Sequence, residues 1–219
     1  MAAQVGRSTL KKIIAAIDEG KLNLDEFRKA AALTEPLFKE GSALLSSNQI
    51  GIWSDYTVTF RRGDKMKAAL LLCKMGEPLN EVAKMLKWSE FEDFAATLLE
   101  GEGYSVRRRV RLKKPKCEID IVAAKDDLAL IIDCKHWRRS GGTSTISKVV
   151  DAQINRAKAL AANKPSFMSG CDKFLTVILT LYSESFTMLK GVPIVPINLL
   201  SDFILKIRGY LNEVNIIKN

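Results

Sequence analysis

The sequence predicts an α/β chain in two parts: a mixed sheet flanked by helices over residues 88–219, and before it, over residues 1–87, a mainly helical accessory domain. Three observations lead there. After Ser89 helical and extended patterns alternate, which is how helices come to cover the faces of a sheet. Before Ser89 the apolar residues recur mostly at helical spacing, with one short stretch of strand-like alternation. At 219 residues, 47% hydrophobic and 27% charged, the chain is long and apolar enough to bury a real core in one large domain or two small ones.

Leu10, Ile13, Ile14 and Ile17 give the first helix one apolar face, with Ser8 as its N-cap and an end near Gly20. A second helix follows Asn23, with Leu24, Phe27 and Ala31 inward. Thr34 caps a third that carries Pro36 in its first turn and runs to about Ser47. Ile50, Ile52, Tyr56, Val58 and Phe60 alternate around Ser54-Asp55 as a short β-hairpin, and Arg61-Arg62 leave it. Three helices and a hairpin with a basic exit are compatible with a winged helix, in which a helix reads a groove and the hairpin touches the backbone. Helices over 64–74 and 80–87 flank Gly76-Glu77-Pro78, either as a helix-turn-helix or as packing elements. From Ser89 the expected order is a helix to Glu100, a strand over 104–111, a hairpin over 118–134, a long helix over 144–162, a buried strand over 173–181, a short strand over 192–197 and a helix over 199–211. Pro193 and Pro196 put the short strand at an edge, since proline cannot donate to a ladder.

The chain carries 34 Lys and Arg against 25 Asp and Glu, a formal charge of +9. That surplus attracts polyanions, either nucleic acid or an anionic membrane surface. No apolar stretch approaches the roughly 20 residues of a spanning helix. The N-terminus runs into an amphipathic helix with Asp18 and Glu19 rather than reading as a signal peptide. Nucleic acid in the cytoplasm is therefore the expected setting. Cys73, Cys117, Cys134 and Cys171 show no C-x-x-C pairing and read as reduced thiols, and with His136 as the sole histidine a structural zinc site is not expected.

The chemistry concentrates in Cys117-Glu118-Ile119-Asp120 and the apolar run Leu128-Ala-Leu-Ile-Ile-Asp133-Cys134-Lys135, joined through the turn signal Asp126-Asp127. As a hairpin this gathers two carboxylates and an ammonium. Side chains alternate along a strand, so Asp133 and Lys135 share a face while Cys134 points to the other. A carboxylate pair is what a hard cation such as Mg²⁺ (or Mn²⁺) needs, and a neighbouring lysine can orient or deprotonate a water beside a phosphate. Embedded in apolar strands, each carboxylate requires a partner or a metal. Arg107, Arg108, Arg109, Arg111, Lys113 and Lys114 lead into Asp120, and Arg138-Arg139 with the loop over 140–145 follow Lys135. Cations placed on both sides of the site, with Arg61 and Arg62 from the first domain, would contact DNA phosphates without reading sequence.

Asp…Asp-x-Lys on adjacent strands resembles the PD-(D/E)xK nuclease motif, and the chain from about Trp88 onward is similar to Mrr-type restriction endonucleases and archaeal Holliday junction resolvases. Ile119 stands where the family's eponymous proline would be, and Asp133 replaces the commoner glutamate. The resemblance implies a restriction-endonuclease-like fold and a Mg²⁺- or Mn²⁺-dependent endonuclease acting on DNA, double-stranded, branched or modified, as a homodimer. It assigns the metal to Asp120, Asp133 and the backbone carbonyl of Cys134, the attacking water to Lys135, and an acidic helix position, acting directly or through water, to Glu92. Glu92 has a rival reading as partner of Ser89 in a capping box, with Glu90 and Glu118 as substitutes at the site. The resemblance also expects an inward glutamine on a later helix. Gln153 matches, lying with Ile146, Val149, Val150, Ala157 and Leu160 on one face, where it either satisfies a buried backbone group or points at the site. His136 reads as packing or DNA contact. The competing class is a non-catalytic DNA-binding protein whose N-terminal domain does the work on a nuclease-fold scaffold.

Overall fold

A computed structural model of the chain describes residues 5–136, 143–183 and 187–218. It falls into two compact units, Met1–Glu90 and Phe91–Asn219.

The first unit begins α1 (Arg7–Ala16), β1 (Gly20–Asn23), α2 (Leu24–Ala30), α3 (Glu35–Ser47), β2 (Ile52–Trp53) and β3 (Thr57–Phe60), with an antiparallel sheet β1-β3-β2. Ser8 is not the cap of α1. The helix starts one residue before it, at Arg7, and Gly6 supplies the first carbonyl, to Leu10. β1 is an element the apolar pattern does not reveal, because its four residues are largely exposed and held by ladder bonds to β3. Its last residue, Asn23, then caps α2 by accepting from the amides of Asp25 and Glu26. The core centres on Phe27, edge-on to Phe38 and Phe60 at 5.4 and 5.3 Å. Such aromatic pairs contribute about 0.5–1.5 kcal/mol each beyond their burial. In the hairpin Val58 and Phe60 point inward, whereas Ile52 and Tyr56 stand in solvent. Two helices complete the unit, α4 (Asp64–Lys74) and α5 (Leu79–Ala83), the latter shorter than expected.

Then follow α6 (Trp88–Gly101), β4 (Ser105–Lys113), β5 (Lys116–Lys125), β6 (Leu128–Lys135), α7 (Thr143–Ala162), β7 (Lys173–Thr180), β8 (Met188–Leu189), β9 (Val192–Pro196), α8 (Leu200–Lys206) and β10 (Ile216–Lys218). Gly103, at φ 84°, turns the chain from α6 into β4, with its amide on the carbonyl of Glu100. The sheet runs β4-β5-β6-β7-β9-β8. β4, β5 and β6 form an antiparallel meander, and β6 is joined through α7 to the parallel β7. α7 covers the sheet with Ala157, Leu160 and Ala161 against Val122, Ala129, Ile131 and Phe174. β9 is not the edge strand its prolines imply. Two-residue β8 lies outside it, and only Ile178–Thr180 of β7 pair with it. β10 pairs with Lys173–Leu175 of β7, another short element set by a distant partner rather than by its own pattern.

Candidate active site

The site lies where two ladders let go of β5. Between β4 and β5 the register is continuous except for one missing pair, Arg109 opposite Asp120. Between β5 and β6 the pairing ends at Ile121–Ile132, one step before Asp120 would meet Asp133. Asp120 is thus out of both ladders, and its carboxylate replaces backbone: Oδ2 accepts from the amide of Cys134 at 2.7 Å. An extended residue points its N–H and C=O to the same side. The carbonyl of Cys134 therefore points to the same splayed edge, while its side chain is fully buried and its thiol is pushed well up, first by burial and then by the negative charge of Asp120 and Asp133.

Asp133 is 2% exposed and carries two cations. Arg156 Nη1 lies 2.9 Å from Oδ1, and Lys135 Nζ 2.7 Å from Oδ2. The lysine pairing is ionic without hydrogen-bond geometry, so Oδ2 is a buried oxygen with no hydrogen bond of its own. Gln153 is fully buried: its amide donates to the carbonyl of Ile131 at 3.3 Å, and its Oε1 accepts from Arg156 at 3.1 Å. Arg156 is absent from the sequence reading. The available signal is its place three residues after Gln153, on the same helical flank.

Glu92 is buried at 8% and takes Arg109 Nε at 2.9 Å. The cap role belongs to its neighbour, since Glu90 Oε2 accepts from the amide of Lys87 at 2.6 Å. Arg109 makes this reach from a left-handed backbone at φ 51°, a conformation costing on the order of 1 kcal/mol in a non-glycine residue and typical of functional sites. Burial raises the Glu92 carboxyl, with Asp120 adding to it and Arg109 opposing. Asp120 is raised as well, by burial first, against the hydrogen bond from Cys134. Glu118 is drawn off to Arg111 at 2.7 Å, and the ring of His136 packs on Phe91 at 5.4 Å.

The basic strand divides. Arg108 is tied to Asp93 and Glu100, and Arg109 to Glu92 and Asp93, so these two brace β4 on α6. Arg107 spreads over the ring of Phe167 and, with Arg111, Lys113 and Lys114, remains exposed, as do Arg61 and Arg62 in the first unit. Arg138 and Arg139 lie outside the described residues.

Among the described residues no three His, Cys, Asp or Glu side chains are gathered as a ready metal cage. The donors still suit a hard cation that keeps most of its waters and takes one or two carboxylates. Asp133 Oδ2 is buried without a hydrogen bond, Asp120 stands beside it, and the carbonyl of Cys134 faces the same edge.

Residues 83–170 match the family model Mrr_cat, a restriction endonuclease. An uncharacterized protein of Archaeoglobus fulgidus is 25% identical over 138 residues, which are 58% of this chain and 97% of that protein. The crystal structure of protein VC1899 from Vibrio cholerae is similar with a TM-score of 0.41 and 12% identity, over 94% of this chain and 51% of that one, so the chain spans about half of its length. No helix among the described residues is long and apolar enough to cross a membrane.

Proposed function

We infer that this chain, which carries a restriction endonuclease domain of the Mrr type over residues 83–170, is a metal-dependent endodeoxyribonuclease. Residues 88–219 do the cutting and residues 1–87 serve as an accessory DNA-binding lobe. The observation that carries this reading is the splayed end of the β5–β6 hairpin, where Asp120, Asp133 and Lys135 meet at a break in the ladder. Burial works against the Asp120 carboxylate there, and a group held so is a candidate for chemistry rather than for folding.

Asp120, Asp133 Oδ2 and the carbonyl of Cys134 would hold Mg²⁺ or Mn²⁺, with Glu92 behind Asp120 acting through a water. When bound, such an ion supplies a Lewis acid that offsets charge on the phosphate and on the leaving oxygen. Lys135, anchored on Asp133 as an ammonium, positions the attacking water, and takes its proton only after passing its own to solvent. Gln153 fixes α7 to β6 through Ile131 and keeps Arg156 aimed at Asp133. Arg107, Arg111, Lys113 and Lys114 neutralise phosphates along the entrance. We assign phosphate contacts as well to Arg138 and Arg139, which follow Lys135 in the sequence, and to Arg61 and Arg62 of the accessory lobe. A homodimer places two such sites on opposing strands, and the four reduced cysteines suit the cytoplasm.

The test is cleavage of end-labelled linear, flapped and four-way DNA by the full-length protein with Mg²⁺, Mn²⁺ or EDTA. Cutting that needs the metal is expected, and preference among the substrates identifies the natural one. Tight DNA binding with no cutting of any substrate under any metal would favour the non-catalytic alternative.

A further inference from the structure

The charges around Asp133 balance before any ion arrives. Among the described residues Asp120, Asp133 and Glu92 face Lys135, Arg156 and Arg109, while Arg108, farther along β4, is shared by Asp93 and Glu100. Asp133 is nearly sealed from water, and each of its oxygens faces a cation. Lys135 accounts for Oδ2. Arg156 covers Oδ1 with a side chain that is a third exposed and so able to leave, whereas Gln153, which steers it, is fully buried and fixed.

A divalent cation entering this balanced group leaves it over-positive by two charges. Orientation of Asp133 by Arg156 is worth little in comparison, because Asp133 has a short side chain confined by its strand and already held by Lys135. Repulsion between a guanidinium and a divalent ion sharing one carboxylate is the larger effect. A phosphate diester removes the excess, and its oxygens offer the guanidinium the same two-pronged geometry a carboxylate does.

Resting on the nuclease reading above, we propose that Arg156 is the resident counter-ion of Asp133, competing with the divalent cation for that carboxylate until a DNA phosphate draws the guanidinium away. Metal and DNA then enter the site together. By linkage each raises the affinity of the other by the same factor.

The sign of one variant decides. In full-length protein without DNA, with Mn²⁺ binding followed through the paramagnetic resonance of the free ion, Arg156→Gln should bind Mn²⁺ about tenfold more tightly than wild type, a coupling of ordinary size. Arg156→Lys, which keeps the charge, should stay near wild type. Excess duplex, intact or cut, should tighten Mn²⁺ binding to the wild-type protein by a similar factor. That arm needs no variant and holds if Arg156→Gln does not fold. Equal or weaker Mn²⁺ binding by folded Arg156→Gln, or a wild-type affinity indifferent to duplex, overturns the proposal while leaving a cleaving enzyme in place. Wild-type protein that binds no Mn²⁺ with or without duplex overturns the nuclease reading along with it.

Discussion

The β5–β6 hairpin carries aspartates at both ends, and the two ends treat them in opposite ways. At the tip, Asp126 stands in solvent and Asp127 is partly exposed, with Arg208 bridging them at 3.0 and 2.8 Å, and Lys173 closes on Asp127 from β7. Hydrogen bonds from Lys173 and then Arg208 pull the Asp127 carboxyl down to about 2. At the splayed end Asp120 is raised by burial, and Glu92 behind it is raised in the same way. Same strands, same residue type: where partners are complete and water is near, a carboxylate clasps the fold, and where burial outweighs its partners it opposes folding. A carboxylate of the second kind persists because something other than stability needs it.

Breaking the splayed end has the largest expected effect. Lys135→Met should lower the single-turnover cleavage rate by about 10²–10⁴-fold, the range of a lost acid–base group, while duplex binding by fluorescence anisotropy holds. A rate within about tenfold of wild type would return Lys135 to a purely structural ion pair. Next in size is the entrance. Neutralising Arg107, Lys113 and Lys114 together should weaken binding of every duplex alike and flatten its salt dependence by roughly 0.9 for each phosphate left without its cation. Unchanged affinity at low salt would show that β4 is a solvated face. Arg109→Ala instead strands buried Glu92 and should show mainly as a lower melting temperature.

The two ends also differ in their pH linkage. The folded pKa of Asp120 lies above its ordinary value, so its contribution is fully present below about pH 4 and is lost as pH rises. Asp120→Asn keeps an acceptor for the Cys134 amide and should melt about 2–4 °C higher at pH 7, an advantage that shrinks on acidification; a lower melting point would contradict the burial argument. Asp127 is the reverse, its folded pKa depressed to about 2. Its stabilising contribution is present above the ordinary carboxylate range and disappears as pH falls through about 2. Asp127→Asn should therefore melt slightly lower at neutral pH, converge with wild type in acid, and cleave normally. A cleavage defect there would join the two ends functionally.

The splayed end was legible because its signals are local. Two apolar strands around a turn, with carboxylates at defined positions of a two-residue period, bring Asp120, Asp133 and Lys135 together in the register this hairpin adopts. What escaped depends on distant partners. β1 and β10, of four and three residues, exist only through their pairing with β3 and β7. Arg107 to Arg111 read as one basic stripe, yet Glu92, Asp93 and Glu100 on the preceding helix neutralise its middle, which no count of charges along the strand could reveal. Glu90 rather than Glu92 reaches back to cap α6, because the helix begins at Trp88 and not after Ser89. Arg156 looks like one more surface cation of a long helix until the fold sets it against Asp133.

Cleavage by Asp133→Asn, compared with wild-type protein purified alongside it, tests the reading of this site most directly. The substitution keeps shape and an acceptor for Arg156 while removing the charge that would hold the metal. Labelled DNA cut by the wild-type protein in Mg²⁺ should remain intact with the variant at every Mg²⁺ or Mn²⁺ concentration, with duplex affinity equal or higher because a charge that repels phosphate is gone. Cutting by the variant at the wild-type rate would contradict the assignment of Asp133 and with it the placement of the active site at the splayed end of the hairpin.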